Sequence, residues 1–161
     1  MTLKQRVAIV GMTLAVIGGI TAAGAAVNSA NATANADSHG SCKRQFDATV
    51  QTYLRTTDRR DARGFNALLH RDVIGVLPGG AVFDGRAEFA AFIDTFFARK
   101  DWTQTFELKR QVADCSTGFV LFDSVYAEPA AGYEQKLVIG LTFTREHGRW
   151  QLLGDQNTEV A

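Results

Sequence analysis

The C-terminal quarter of the chain, Gln135–Val160, constrains the fold more than any other stretch. It has the pattern of two long strands joined by a tight turn at residues 146–149. A two-stranded hairpin is only marginally stable alone in water. We therefore expect the preceding residues to extend its sheet or to pack against it.

Upstream of Trp102 the apolar side chains recur mostly at intervals of three and four, which indicates helices. The spacing predicts a first helix ending near Thr57 and a second with Asp61 as its N-cap. A third opens after residues 84–85, with Glu88 placed to reach back to its start. The inward positions of the second helix are predicted as Phe65, Leu68 and Leu69. The third helix has the strongest apolar stripe, made of Phe89, Phe92, Ile93, Phe96 and Phe97.

Strand patterns occur in two places. Residues 73–77 and 81–83 flank Pro78-Gly79-Gly80 and predict a small hairpin between the second and third helices. After Trp102, four further strands are predicted at residues 103–113, 118–128, 136–145 and 149–158. Their short joints imply antiparallel pairing. Helices followed by a long antiparallel meander predict a single α+β domain.

The N-terminus has the features of a secretory signal peptide. Lys4 and Arg6 form a basic start, residues 7–27 form an apolar run without a charge, and two Ala-x-Ala sites follow. We expect cleavage after Ala36 and a secreted or otherwise extracytoplasmic protein. The alternative is an uncleaved membrane anchor, because the apolar run approaches the roughly 20 residues that span a bilayer.

This interpretation divides the chain into three parts. Residues 1–36 are the signal peptide, residues 37–44 a flexible leader and residues 45–161 the domain. The two cysteines, Cys42 and Cys115, both lie in the exported part. In an oxidising compartment such a pair predicts a disulfide. Metal or redox chemistry is the alternative, although no CxxC or Cys/His cluster accompanies the pair.

Charge and motifs narrow the classes of partner. The 17 basic and 17 acidic side chains balance, so no strong field exists to hold a nucleic acid. The histidines, His39, His70 and His147, have no ligand spacing, and we expect no metal site. The sequence has no P-loop, nucleophile elbow or dinucleotide-binding glycine pattern, and we expect no cofactor.

The predicted strands are apolar on both faces, most clearly at residues 119–126 and 137–143. A sheet with one solvated face should alternate apolar and polar residues. Three helices cover only one face, so we expect the outer face to be covered by a second copy in a two-fold homodimer. A monomer with an apolar surface is the alternative.

Several short motifs, in this order, resemble the nuclear-transport-factor-2-like superfamily and its small SnoaL-like and ketosteroid-isomerase-like members. The resemblance covers nearly the whole predicted domain. The motifs are Val50-Gln51-Thr52-Tyr53-Leu54, Asp61, Asp72, Phe83-Asp84-Gly85-Arg86, Glu146-His147-Gly148-Arg149-Trp150 and Asp155-Gln156-Asn157-Thr158. The resemblance implies three helices on a strongly curved, mostly antiparallel sheet that forms a cone, a cystatin-like α+β roll, with a pocket open at one end.

The resemblance also implies a range of activities without choosing among them. Superfamily enzymes include isomerases, dehydratases and polyketide cyclases that work by acid–base chemistry without a cofactor, and many members have no known activity. Tyr53 matches the tyrosine with which ketosteroid isomerases stabilise an enolate. Leu77 and Leu137, however, stand where those enzymes carry their two acidic groups. This pattern argues against steroid-isomerase chemistry, and Tyr53 is equally explained as a core tyrosine.

Two places on the strands supply other polar candidates. Asp123 lies in an apolar strand and is a candidate acid or base if it points into the cone. If it points outward, it is solvated or lies at the dimer seam. Asp155 and Asn157 share one face of the last strand and are candidates for the mouth of the cone. The alternative role of Asp155 and Asn157 is to form hydrogen bonds to neighbouring loops.

We therefore predict an exported domain that holds a small apolar ligand. The alternatives are a cofactor-independent isomerase, cyclase or dehydratase that uses Tyr53 and Asp123, and a structural dimer with a filled cone. Whether a reaction occurs stays open at this point. The predicted ligand-binding residues are Tyr53, Leu77, Phe92, Phe96, Trp102, Asp123, Asp155 and Asn157.

Overall fold

The computed structural model describes the backbone of residues 23–160 and the side chains of residues 40–160. The chain divides into two units, residues 1–34 and 35–161, and the second unit contains the domain. Most of the predicted signal peptide lies outside the described residues. Within residues 23–160, no helix is both long enough and apolar enough to cross a membrane.

The described residues form three α-helices and a six-stranded sheet, and four of the six strands follow the third helix. The helices are α1 (Ala23–Arg59), α2 (Ala62–Asn66) and α3 (Arg86–Ala98). The strands are β1 (Leu69–Val76), β2 (Val82–Asp84), β3 (Thr103–Ala113), β4 (Thr117–Glu128), β5 (Tyr133–Glu146) and β6 (Arg149–Glu159). A single 3-10 turn, Pro129–Ala131, connects β4 to β5.

The strand order in the sheet is β2-β1-β6-β5-β4-β3. The pairs are antiparallel except for β1 and β6, which run parallel. The register shifts between Leu108 and Arg110 in β3 and between Thr142 and Phe143 in β5. Because such bulges bend a strand and increase its twist, they contribute to the curvature of the sheet. The predicted α+β fold, with helices on a curved and mostly antiparallel sheet, is confirmed.

Apolar side chains from the helices fill the inner face of the sheet. Phe46 of α1 contacts Phe143 and Trp150, with ring centroids 5.4 Å and 4.9 Å apart. On α3, Phe89, Ile93 and Phe97 are buried. The indole N–H of Trp150 donates to the carbonyl of Cys42, which fixes α1 on the hairpin of β5 and β6. The C-terminal hairpin is thus the surface on which α1 packs.

The local signals at the two later helices are also confirmed. The Asp61 carboxylate accepts a hydrogen bond from the Gly64 amide and caps α2. At α3, the Glu88 carboxylate accepts from the amide of Asp84, one residue before the N-cap Gly85, so it reaches back to the helix start as predicted. The predicted helical positions of Leu68 and Leu69 are wrong, because α2 ends at Asn66 and Leu69 pairs with Leu152 as the first residue of β1. The Leu152 amide donates to the Leu68 carbonyl, so this parallel pairing ends the helix early.

The segment predicted as a flexible leader, residues 37–44, is part of α1 in the structure. Cys42 within it is buried and forms a disulfide with Cys115, as predicted. The disulfide ties α1 to the connection between β3 and β4. Together with the Trp150 hydrogen bond, it explains why the middle of α1 is held on the sheet.

Candidate functional site

A cavity of about 160 Å³ lies between the helices and the inner face of the sheet. Its walls come from α1, α2, α3, β3, β4, β5, β6 and the β1–β2 turn. The residues that line it are Tyr53, Thr57, Phe65, Leu77, Pro78, Phe89, Phe92, Ile93, Phe96, Phe97, Gln104, Tyr126, Gln135, Leu137, Asp155 and Asn157. Seven of these residues are aromatic, so the cavity is an apolar chamber with a few polar groups.

The aromatic wall is an ordered stack rather than a loose cluster. Phe92 lies between Phe83 and Phe96, with ring centroids 4.7 Å and 5.5 Å away, and these rings are nearly parallel. Phe96 continues the stack onto Trp102 at 4.4 Å. Offset stacking at such distances stabilises aromatic pairs by roughly 0.5–1.5 kcal/mol beyond their buried area. The positions of Phe92 and Phe96 at the cavity are therefore fixed by neighbours on both sides.

The polar end of the cavity centres on the carboxylate of Asp155. This residue is 4 % exposed and lies on β6, between β1 and β5, where Gly75 and Leu141 are its neighbours. The hydroxyl of Tyr53 donates to Oδ2 at 3.1 Å, and Nδ2 of Asn157 donates to Oδ1 at 2.8 Å. Each carboxylate oxygen therefore has a neutral donor, and the three side chains form one hydrogen-bonded group.

Burial controls the ionisation of this group. It raises the pKa of the Asp155 carboxyl from 3.8 to about 6, although the Tyr53 and Asn157 hydrogen bonds act to lower it. Burial also raises the pKa of the Tyr53 hydroxyl well above its ordinary value, and the Asp155 charge adds to that effect. At neutral pH Tyr53 is thus a fixed donor, while Asp155 is a carboxylate that accepts a proton under mildly acidic conditions.

A second polar group lies where β3 and β4 meet the cavity. Nε2 of Gln104 donates to Oγ of Ser124 at 3.1 Å, across the two strands. The Tyr126 hydroxyl donates to Oε1 of Glu128 at 2.5 Å, and Arg99 also donates to that oxygen. Burial, followed by the hydrogen bond to Glu128, raises the pKa of Tyr126 to about 12. This arrangement uses the proton of the Tyr126 hydroxyl in the bond to Glu128 and leaves its ring as part of the cavity wall.

Six of the eight predicted ligand-binding residues line the cavity. They are Tyr53, Leu77, Phe92, Phe96, Asp155 and Asn157. Trp102 does not line it. This residue is buried and its ring is stacked on Phe96. The guanidinium of Arg60 lies over the Trp102 ring, 4.6 Å from its centroid. Trp102 supports the wall from behind rather than forming it.

Of the two placements left open for Asp123, the structure has the outward one, so Asp123 is not a ligand-binding residue of the cavity. Its neighbours in sequence, Phe122 and Ser124, are buried on the inner face, so Asp123 points to the outer face. There its side chain is 49 % exposed and forms an ion pair with Lys109 at 3.1 Å. The acid at the cavity is Asp155, and it is Asp155 rather than Asp123 that meets Tyr53.

Sequence reasoning missed four polar residues of the lining: Thr57, Gln104, Tyr126 and Gln135. The signal for Tyr126 was present, because it lies four residues after Phe122 on the same face of β4. Gln104 is opposite Tyr126 in the register of β3, and Gln135 is opposite Tyr126 in β5. Once one inward residue of β4 is known, the register identifies these three strand residues, whereas Thr57 lies on α1 one helical turn after Tyr53.

No group of three or more histidine, cysteine, aspartate or glutamate side chains within the described part of the chain is arranged to hold a metal ion. The polar atoms at the cavity come from hydroxyl, amide and carboxylate groups. The chemistry available from these residues is therefore hydrogen bonding and proton exchange with Asp155.

Comparison with known protein families identifies a family to which the chain belongs. The sequence model of the SnoaL-like domain matches residues 50–152, which is well over half of the chain. This range includes Tyr53 and α3 and ends shortly before Asp155. No curated protein matches the chain.

Solved structures show the same architecture at low sequence identity. A domain of unknown function with a cystatin-like fold from Nostoc punctiforme has a TM-score of 0.64 and 18 % identity, covering 75 % of this chain and 78 % of that chain. An NTF2-like protein of unknown function from Pseudomonas putida has a TM-score of 0.63 and 14 % identity, with coverages of 74 % and 87 %. A ketosteroid isomerase-like protein from Erwinia carotovora atroseptica has a TM-score of 0.62 and 18 % identity, with coverages of 73 % and 95 %. These structural similarities show a shared fold.

Proposed function

Since the chain belongs to the SnoaL-like domain family, we propose that it binds a small, mainly apolar molecule in the cavity beneath α3. The observation that carries this proposal is the arrangement of one polar group, Tyr53, Asp155 and Asn157, at an otherwise aromatic and aliphatic cavity. Ligand sites commonly combine an apolar lining with a few polar groups that orient the ligand. Binding buries the apolar body of the ligand, and the polar group selects its orientation.

The size of the cavity limits the ligand. Pockets for drug-sized molecules hold roughly 300–1,000 Å³, and this cavity holds about 160 Å³. A molecule with one ring or a short branched chain matches it better than a four-ring steroid. A separate argument comes from Leu77 and Leu137. They stand where the resemblance places acids in steroid isomerases, so steroid isomerisation is disfavoured on chemical grounds as well. The open volume also favours binding over a filled cone with only a structural role.

Ligand binding is tested by filling the cavity. In Leu77→Trp, the larger side chain occupies the space next to the β1–β2 turn, and we expect loss of binding with the fold retained. Leu108→Trp is the matched control, because Leu108 is 53 % exposed on β3 and does not line the cavity. Native mass spectrometry of protein from its own host, followed by a thermal-shift screen of small apolar compounds, measures binding. Equal binding by the Leu77→Trp variant and the wild type contradicts the proposal.

We propose as a second candidate that Asp155 also moves a proton on the bound molecule. The specific observation is a buried carboxyl whose pKa is about 6, beside a hydroxyl donor. A base with a pKa near the working pH combines the ionised form with useful proton affinity. Small cyclic ketones incubated in heavy water test this step by mass spectrometry. If the candidate is right, the wild type exchanges their α-protons and Asp155→Asn does not, and equal rates exclude the role.

We also propose that the protein is exported and that it forms a homodimer through the outer face of the sheet. The basic start and apolar run of the N-terminus, together with the disulfide, support an extracytoplasmic protein. On the outer face of the sheet, Ile74, Phe119 and Val112 are partly exposed, and Leu121 and Val138 flank the same surface. Covering such a surface with a second copy removes apolar area from water.

The dimer is tested with a charge on this face. Phe119 is 37 % exposed, and Phe119→Glu is expected to convert a dimer to a monomer in light scattering after size-exclusion chromatography. Tyr133→Glu is the control, because Tyr133 contacts Tyr126 on the other side of the sheet. A wild-type protein that is monomeric at micromolar concentration contradicts the dimer, and periplasmic or medium fractionation tests export separately.

A further inference from the structure

The cavity contains a buried negative charge without a positive partner. Asp155 has hydrogen bonds from Tyr53 and Asn157, which are both neutral. No lysine, arginine or histidine is among the residues that line the cavity. A buried carboxylate with only neutral partners retains part of its desolvation cost, and a cation placed beside it would recover that energy.

Each carboxylate oxygen has accepting capacity left. An ionised carboxylate offers about four lone-pair sites, and the two hydrogen bonds use one on each oxygen. Tyr53 directs its only proton to Asp155, so the lone pairs of its oxygen remain acceptors. On Asn157, Nδ2 donates to Asp155 and to the Val76 carbonyl, which leaves the amide oxygen as an acceptor. The free capacity of this polar end is therefore strongly weighted towards accepting hydrogen bonds.

The rest of the lining suits the apolar body of such a ligand. The rings of Phe65, Phe92, Phe96 and Tyr126 are part of the wall. Phe92 and Phe96 are stacked on their neighbours, so their faces are already covered and they act as an apolar wall. An apolar body attached to a cationic group would thus contact aromatic rings along its length, while the charge itself is bound at Asp155.

Resting on the proposed binding function, we infer that the ligand is a small protonated amine, with its ammonium group against Asp155 and its apolar body against the α3 aromatics. A primary ammonium supplies three donors and no acceptor, which complements the acceptors of Asp155, Tyr53 and Asn157. A neutral alcohol of the same shape supplies one donor and no charge.

The pH dependence follows from the same group. The titratable side chains that line the cavity are Asp155 on β6, Tyr53 on α1 and Tyr126 on β4. The two tyrosines stay protonated throughout the physiological range, because burial raises both of their pKa values. Protonation of Asp155 removes the negative charge, so amine affinity should fall as the pH falls through about 6. Alcohol affinity should change little.

The test compares amines with isosteric alcohols by isothermal titration calorimetry on the intact protein. Phenethylamine and phenethyl alcohol are the aromatic pair, and isoamylamine and isoamyl alcohol are the aliphatic pair. At pH 7.5 each amine is expected to bind roughly tenfold or more tightly than its alcohol, since hydrogen bonds to a charged group are stronger than neutral ones. In Asp155→Asn this preference should disappear, because the amine and the alcohol of each pair then meet a neutral group.

The outcomes separate the two proposals. Alcohols that bind as tightly as their amines overturn the inference and leave the binding function intact. If neither class binds, both proposals fall. Because the Asn variant could lose its fold, the wild-type comparison at pH 7.5 and 5.0 serves as an independent measurement. An amine preference that is unchanged between these two pH values also overturns the inference.

Discussion

Tyr53 on α1 and Asp155 on β6 are 102 positions apart in the chain, and the tyrosine hydroxyl donates to the aspartate carboxylate at 3.1 Å. This contact joins the first long helix to the centre of the sheet. It also sets the chemistry of the cavity, because it leaves a carboxylate ionised at neutral pH in an apolar chamber. The first two predictions concern this pair.

Tyr53→Phe removes the hydroxyl and leaves the ring. Asp155 then loses one of its two side-chain donors, and we expect the unfolding free energy at pH 7.5 to fall by about 1–3 kcal/mol. The pKa of Asp155 should rise further, because the Tyr53 hydrogen bond lowers it in the native protein. Urea unfolding measures the first effect, and NMR titration of the carboxyl carbon measures the second. Tyr133→Phe is the control, since Tyr133 is 46 % exposed, and equal losses in the two variants would contradict the role of Tyr53.

The stability of the protein should carry a pH signature of Asp155. Its native pKa, about 6, is above its ordinary value of 3.8, so the folded state binds this proton more tightly than the unfolded state. The group therefore adds stability as the pH falls from about 6 towards 4, and this contribution is absent above pH 7.

Asp155→Asn isolates that contribution from other groups, such as Asp101 and Glu128. A hydrogen bond from Arg99 lowers the pKa of Asp101, and hydrogen bonds from Tyr126 and then Arg99 lower the pKa of Glu128. The stability of the variant minus that of the wild type should decrease by about 2 kcal/mol between pH 7.5 and 4.5. Urea midpoints at both pH values measure this difference. A difference that stays constant across the range would show that Asp155 titrates with its ordinary pKa.

The disulfide should contribute substantially to the stability of the domain. Cys42 and Cys115 are 73 positions apart, so the bond closes a long loop in the unfolded chain. The chain-entropy relation gives a stabilisation of about 4 kcal/mol for such a loop. We expect the unfolding free energy of the Cys42→Ala/Cys115→Ala protein to be lower by that amount. Its urea midpoint should therefore be lower than that of the wild type. Wild-type protein measured under a reductant should match the double variant, and an unchanged midpoint under reduction would contradict the prediction.

The helices and strands were predictable because their signals are local. Spacing of apolar residues located α3, and the Asp61 and Glu88 caps marked where helices begin. The start of β1 was not predictable in this way, because Leu69 becomes a strand residue through its pairing with Leu152 of β6, far along the chain. Local propensity at Leu69 is overridden by that tertiary pairing.

Which acidic residue reaches the cavity was also not predictable from local sequence alone. Strand periodicity correctly groups Asp123 with Leu121 and Val125 on one face of β4. It does not say which face is the inner one when both faces are apolar. The packing of Phe46 and the helices on the face of Val120 and Phe122 decides this. Asp155 and Asn157 were identifiable as a pair on one face of the last strand, whereas the hydrogen bond between Asp155 and Tyr53 required the fold.

The close approach of α1 to the sheet makes a further prediction at Gly118. A Cβ atom there would lie 2.3 Å from a ring carbon of Phe46, and that ring is 1 % exposed between Phe143 and Trp150. Gly118→Ala should therefore destabilise the protein by about 1–3 kcal/mol, the usual cost of overpacking.

Gly140→Ala is the matched control for Gly118→Ala, because a methyl group at Gly140 has its nearest neighbour, a ring carbon of Phe119, at 3.5 Å. Phe46→Leu removes the ring that creates the clash. Adding Gly118→Ala to the Phe46→Leu background should then cost much less than it does in the wild type. Such coupling is measurable as non-additivity in a double-mutant cycle from urea unfolding. Additive losses would mean that the strain at Gly118 comes from the backbone of β4 and not from α1.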